Sequence, residues 1–298
     1  MPLYRRVTLA ALAALCALLG VPASAGAKTV AAPRHYVALG DSYTAGPLIP
    51  VQRIDPIGCN RSTNNYPSRL AAALRIRDFT DVSCSGAKTD NMTAAQYVPL
   101  LGTNPPQFNA LRPDTDLVTL TISGNDIGFT EIAYTCGRAA ALDPFGNPCE
   151  REATAGGNDL YAERIAAAAP KVGRVIEGIH QRSPHATVLL VGYLRILPPT
   201  EGCYPLFPIA RGDVRYLDGF EQQLTDMLAS QAFRHDAFFV DAYARSAGHD
   251  ACQLPGVKWV EGFVPTSPAA PVHPNALGMQ AVAGFARDTL RYVMATVG

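Results

Sequence analysis

Five short apolar stretches, each leading into a helical pattern, constrain this chain most. They are Tyr36–Leu39, Phe79–Ser83, Asp116–Ile122 (DLVTLTI), Thr187–Val191 and Ala237–Asp241. Helical spacing of apolar residues follows at about 66–75, 94–112, 158–182, 213–233 and 274–293. Short, near-continuous apolar runs suit strands buried on both faces. Their alternation with helices predicts an α/β fold, a mostly parallel sheet with helices on both sides. The first four strands run into small or polar residues at Ser42, Gly86, Asn125 and Gly192. In a parallel sheet these ends share one edge, where ligands of open α/β sheets bind.

The sequence has 298 residues, 48% of them hydrophobic and 17% charged, enough apolar surface for a large core. Net charge is zero and no basic patch occurs, so nucleic acid is not an expected partner. Residues 1–27 carry Arg5 and Arg6, an apolar segment from Thr8 to Val21, and the small-residue sites Ala23-Ser24-Ala25 and Ala25-Gly26-Ala27. This predicts a secretory signal peptide, cleaved near residues 25–27, because the apolar core is short of the roughly 20 residues that span a bilayer. Residues 28–298 then form one domain, with no repeat or linker. The exported chain keeps six cysteines, Cys59, Cys84, Cys136, Cys149, Cys203 and Cys252. An even number suggests disulfides. Many pairings are open to them; local closure favours Cys59–Cys84, Cys136–Cys149, which spans residues 136–149 read as a loop rich in Gly, Pro and Asn, and Cys203–Cys252.

Tyr36–Leu39 continues as Gly40-Asp41-Ser42. Gly40 frees the backbone at the strand end, and Asp41 or Ser42 can cap a following helix. Alone, that is a capping turn. Acyl transfer needs a nucleophile, a base, oxyanion donors and a group that orients the base. Candidates occur at loop positions. Ser42 supplies a hydroxyl, Gly86 a backbone N–H, Asn125 a side-chain amide, and His273, before the last helix, an imidazole.

The blocks Gly40-Asp41-Ser42-x-x-x-Gly46, Ser85-Gly86-Ala87, Gly124-Asn125-Asp126 and Val272-His273-Pro274-Asn275, in that order and spacing, resemble the SGNH, or GDSL, hydrolase family. The likeness covers nearly the whole chain after residue 27. The six loop cysteines resemble those of secreted actinobacterial esterases and lipases of that family. The resemblance implies a three-layer α/β/α sandwich and hydrolysis of carboxylic esters with no metal or cofactor. It makes Ser42 the nucleophile and His273 the base. The N–H groups of Ser42 and Gly86, with the Asn125 side chain, would form the oxyanion hole. Many members carry Asp three residues before the histidine; here that position is Ala270. A backbone carbonyl at Ala270 is therefore expected to orient His273, with Asp241 and Asp250 as alternatives. Asp41 and Asp126 are expected to cap and brace loops.

The Gly-x-Ser-x-Gly elbow of α/β-hydrolases does not fit, since Thr44 occupies the last glycine position. Apolar loop residues such as Ile49, Ile54, Ile57, Phe129, Ile132, Leu206, Phe207, Trp259 and Phe263 suit a lipid or acyl ester, with transient contact to lipid surfaces. The expected enzyme is a secreted, monomeric esterase or lipase. A carbohydrate O-acetyl esterase is the alternative within the class, and a catalytically silent cell-surface binding module the alternative outside it.

Overall fold

The computed structural model describes residues 32–296. The predicted signal peptide lies outside the described residues. The central sheet contains β1 (His35–Gly40), β2 (Asp78–Asp81), β5 (Leu117–Thr121), β6 (Thr187–Val191) and β7 (Phe238–Val240), all parallel, in the order β2-β1-β5-β6-β7. All five residues of β5 are buried, as expected for a strand covered on both faces. Tyr36 stacks on Phe79 of β2 and shares a hydrogen bond with Thr119 of β5 at 2.7 Å, joining three strands through one side chain.

The helices are α1 (Ser42–Ala45), α2 (Tyr66–Leu74), α3 (Phe129–Ala140), α4 (Pro148–Thr154), α5 (Leu160–Arg182), α6 (Val214–Arg234), α7 (Ala242–Arg245) and α8 (Ala276–Thr296). Helix α5 packs on α6, and α2 on α8. Local chemistry sets several starts. The Asn65 side chain accepts from Ser68 N–H, with Pro67 in the first turn of α2; the Asp159 carboxylate accepts from Tyr161 and Ala162 N–H at the start of α5. Helix α5 continues through Pro170, whose missing N–H the packed helix tolerates. No helix among the described residues is long and apolar enough to cross a membrane.

Two stretches differ from the sequence expectation. Residues 94–112, read as helical, form the antiparallel hairpin β3 (Gln96–Val98) and β4 (Gly102–Asn104), then a 3-10 turn at Gln107–Ala110. Leu100 and Gly102 hold positive φ, and Pro105-Pro106 lack N–H donors, so a continuous helix cannot form there. The loop expected at 136–149 is instead the end of α3, a turn and the start of α4, with Cys136 and Cys149 inside the helices. All three expected disulfides are present: Cys59–Cys84, Cys136–Cys149 and Cys203–Cys252.

In this order β1 has β2 on one side and β5 on the other, so the connections leave β1 and β5 in opposite directions. A crevice opens between the carboxyl ends of these two strands. Ser42 follows β1 and Asn125 follows β5, so the topology brings both to that crevice.

Candidate active site

Ser42 is the first residue of α1. Asp41 caps this short helix by accepting from Tyr43 N–H at 2.9 Å, and the Ser42 N–H has no intrahelical acceptor. Gly40, at φ 142°, makes the turn possible. A Cβ there would lie 2.3 Å from Thr44 Oγ1 and 2.5 Å from the Thr121 carbonyl. The buried Gln107 holds both polar atoms of Gly40, accepting from its N–H at 2.8 Å and donating to its carbonyl at 2.9 Å.

His273 meets Ser42 across the chain, with Nε2 at 2.8 Å from Ser42 Oγ. The carbonyl against Nδ1 is that of Pro271, at 2.7 Å. Ala270, expected in that role, directs its carbonyl instead to the His273 backbone N–H at 3.2 Å. The reason is the turn at Val272, which has φ 59°, a region costly for a β-branched residue. The Tyr43 hydroxyl donates to the Val272 carbonyl at 2.8 Å and Val272 N–H to the Gly262 carbonyl at 3.3 Å, holding this turn. Donation from Nδ1–H to a carbonyl fixes the tautomer in which Nε2 accepts from the serine hydroxyl. Removal of water from around the ring lowers the His273 pKa below the ordinary imidazole value, with the Pro271 carbonyl acting the other way. The neutral form of the ring is thereby favoured. Neither Asp241 nor Asp250 reaches His273. Asp241 caps α7, and the buried Asp250 accepts from Cys252 N–H.

Asn125 lines the same cavity as Ser42 and His273. Its side-chain amide donates to the Ala87 carbonyl at 2.9 Å. Gly86, at φ 80°, is exposed in that neighbouring loop and does not line the cavity. Asp126 ties the two loops together, accepting from Thr89 N–H at 3.0 Å and from its hydroxyl at 2.5 Å. Ser85 N–H donates to the Cys59 carbonyl, so the Cys59–Cys84 bridge anchors the Gly86 loop at its root.

Tyr193, two residues past β6, was not legible as a site residue. Its hydroxyl donates to Asp41 Oδ2 at 2.6 Å and accepts from the buried Gly124 N–H at 2.7 Å. One phenol therefore couples the residue before Ser42 to the residue before Asn125. The only local signal was a tyrosine directly after a strand-end glycine.

These groups open onto a cavity of ≈ 260 Å³, near the lower edge of the roughly 300–1,000 Å³ of small-molecule sites. Its apolar walls include Phe129, Ala133, Leu194, Ile196, Leu224 and Val272. Among the rim residues expected from sequence, Phe129 lines it, Ile132 and Phe207 line a smaller adjoining recess, and Ile49 is in the core. Trp259 stacks on His249 and does not line it, and Ile54, Ile57 and Leu206 are exposed. Among the described residues, no group of three or more His, Cys, Asp or Glu is arranged to hold a metal ion.

Known proteins resemble this chain along most of its length. Residues 38–281 match the model of the GDSL-like lipase/acylhydrolase family. The chain is 39% identical to Lipase 2 of Streptomyces coelicolor over 97% of its own length and 98% of that protein. The crystal structure of phospholipase A1 from Streptomyces albidoflavus NA297 superposes with a TM-score of 0.70 at 26% identity, covering 88% of this chain and 99% of that one. The extracellular lipase from Streptomyces rimosus gives 0.67 at 26%, covering 86% and 99%. A parallel α/β sheet with the serine after its first strand, and a family match across most of the chain, make this protein a carboxylic ester hydrolase belonging to the GDSL-like lipase/acylhydrolase family.

Proposed function

We propose that this protein is a secreted, monomeric lipase or esterase that cleaves medium-chain acyl esters through a Ser42–His273 dyad. The observation that carries this reading is the relay from Pro271 carbonyl to Nδ1, and from Nε2 to Ser42 Oγ, opening onto an apolar cavity. His273 Nε2 takes the proton as Ser42 Oγ adds to the ester carbonyl. The oxyanion is met by the Ser42 N–H and by the Asn125 amide, which turns from the Ala87 carbonyl. His273 then protonates the leaving alcohol. Water, deprotonated by the same nitrogen, adds to the acyl-enzyme and releases the acid. The neutral Pro271 carbonyl orients the ring but stabilises the imidazolium less than a carboxylate would.

An acetyl group would leave most of an apolar cavity of ≈ 260 Å³ unfilled, which favours longer acyl chains over a carbohydrate deacetylase. The exposed apolar residues Leu48, Val51, Ile54 and Ile57 support transient contact with a lipid surface. They follow Pro47, whose carbonyl holds Ala270 N–H beside the histidine. A signal-like sequence at residues 1–27 and three disulfides support export.

The test is hydrolysis of para-nitrophenyl esters from acetate to palmitate, with Ser42→Ala as control. Maximal kcat/KM on a medium chain is expected. Ser42→Ala is expected to keep the fold and lose several orders of magnitude in turnover. Turnover retained in Ser42→Ala refutes the nucleophile, and a maximum at acetate refutes the substrate class.

A further inference from the structure

Glu221, on α6, faces the acyl cavity, although it is only 8% exposed. Its Oε2 accepts from the Ile196 N–H at 3.0 Å; among the described residues its other carboxyl oxygen has no hydrogen-bond partner. Neither neighbouring tyrosine supplies one. The Tyr43 hydroxyl is committed to the Val272 carbonyl and the Tyr243 hydroxyl to Asp218. The Thr225 hydroxyl, one turn along α6, donates to the Glu221 backbone carbonyl. Glu221 also borders the apolar recess of ≈ 30 Å³ that continues past the main cavity toward Phe207 and Ile209. It therefore stands where the cavity narrows into the recess, among Phe129, Ala133, Ile196 and Val272, none of which carries a polar side-chain atom.

A wall that only held an alkyl chain would be better served by a leucine or methionine. The second carboxyl oxygen is open to the cavity, and an alkyl chain that covered it without offering a partner would leave it unpaired at a cost, which a ligand bringing that partner avoids. Sites with such a group discriminate strongly against ligands lacking the partner. Burial pushes the Glu221 carboxyl well above the ordinary range. The Ile196 N–H opposes that, Asp218 and Asp250 add to it, and Arg195 opposes it. The protonated form can both donate and accept.

We infer that Glu221 determines acyl specificity by binding a hydroxyl or oxo group carried on the acyl chain, so that oxygenated medium-chain acyl esters are preferred to their plain alkyl counterparts. This rests on the reading of the cavity as the acyl site.

The experiment compares para-nitrophenyl butyrate, decanoate and a series of hydroxydecanoates with the hydroxyl moved along the chain. The proteins are wild type, Glu221→Met and Glu221→Gln. In wild type, one hydroxyl position is expected to exceed decanoate in kcat/KM by about tenfold, the scale of one buried hydrogen bond. Glu221→Met is expected to reverse that order and Glu221→Gln to keep it. Calorimetry of free decanoate and hydroxydecanoate binding to the Ser42→Ala protein gives a second readout, independent of turnover and of any change at Glu221. It decides alone if Glu221→Met does not fold. Plain decanoate preferred at every position, equal affinity of the two acids, or a hydroxyl preference that survives Glu221→Met overturns the inference. Wild-type turnover of butyrate with no binding of either acid would instead overturn the acyl-site reading.

Discussion

Tyr193→Phe isolates the coupling between the Ser42 and Asn125 loops. The substitution keeps the ring and removes one oxygen. Two hydrogen bonds go with it, the Tyr193 donation to Asp41 at 2.6 Å and the acceptance from Gly124 N–H at 2.7 Å. The first is to a group that can carry charge and is worth about 1.5–3 kcal/mol; the second leaves a buried N–H unpaired at about 1–3 kcal/mol. A loss near 3 kcal/mol is expected at alkaline pH, a large share of a typical domain's stability. Burial raises the Asp41 pKa to about 7, against the donations from Tyr193 and Tyr43 N–H, with Asp126 adding to the rise. A raised carboxyl binds its proton more tightly in the folded than in the unfolded protein. Its contribution is thus full below pH ~4 and is lost as pH rises through about 7, on the order of 4 kcal/mol in all. Without the phenol, ionised Asp41 loses its strongest donor and the pKa moves higher still. The destabilisation by Tyr193→Phe is therefore larger at pH 8 than at pH 5, by roughly 1–2 kcal/mol. Urea unfolding at both pH values measures this. Release of Gly124 also loosens Asn125, so kcat should fall by up to about a hundredfold with KM little changed. A destabilisation below about 0.5 kcal/mol, or one equal at the two pH values, would refute the coupling.

Burial of His273 lowers its pKa, and only the neutral ring is a base, so kcat/KM should fall on the acid side with a midpoint below the ordinary ~6.5; a pH–rate profile with a higher midpoint contradicts this. Asp241→Asn and Asp250→Asn should each leave kcat within about tenfold of wild type, whereas loss of an orienting acid in a true triad costs about 10⁴; steady-state kinetics decides. Replacing both Cys203 and Cys252 by Ser removes a bridge closing 49 residues and should cost about 4 kcal/mol in denaturant unfolding; an unchanged midpoint would show that the loop is held by packing alone.

Features that depend on neighbouring residues were legible before folding was considered. Period and length marked the five parallel strands. The Gly40-Asp41-Ser42 turn was legible because glycine and a capping carboxylate are requirements of the local backbone. Local closure sufficed for the three disulfides. Local rules failed at 94–112, where apolar spacing suggested a helix that positive φ and two prolines forbid.

Which carbonyl meets His273 depends on the folded chain. A carbonyl's direction follows from φ and ψ, and those of Val272 are held by Tyr43, 229 positions away in sequence, and by Gly262. Tyr193, Gln107 and Glu221 escaped for the same reason. Each serves a group far away in the chain: Tyr193 reaches Asp41 across 152 positions and Gln107 reaches Gly40 across 67. Nothing in the residues beside a tyrosine, a glutamine or a helical glutamate records which distant backbone the folded sheet will bring to it.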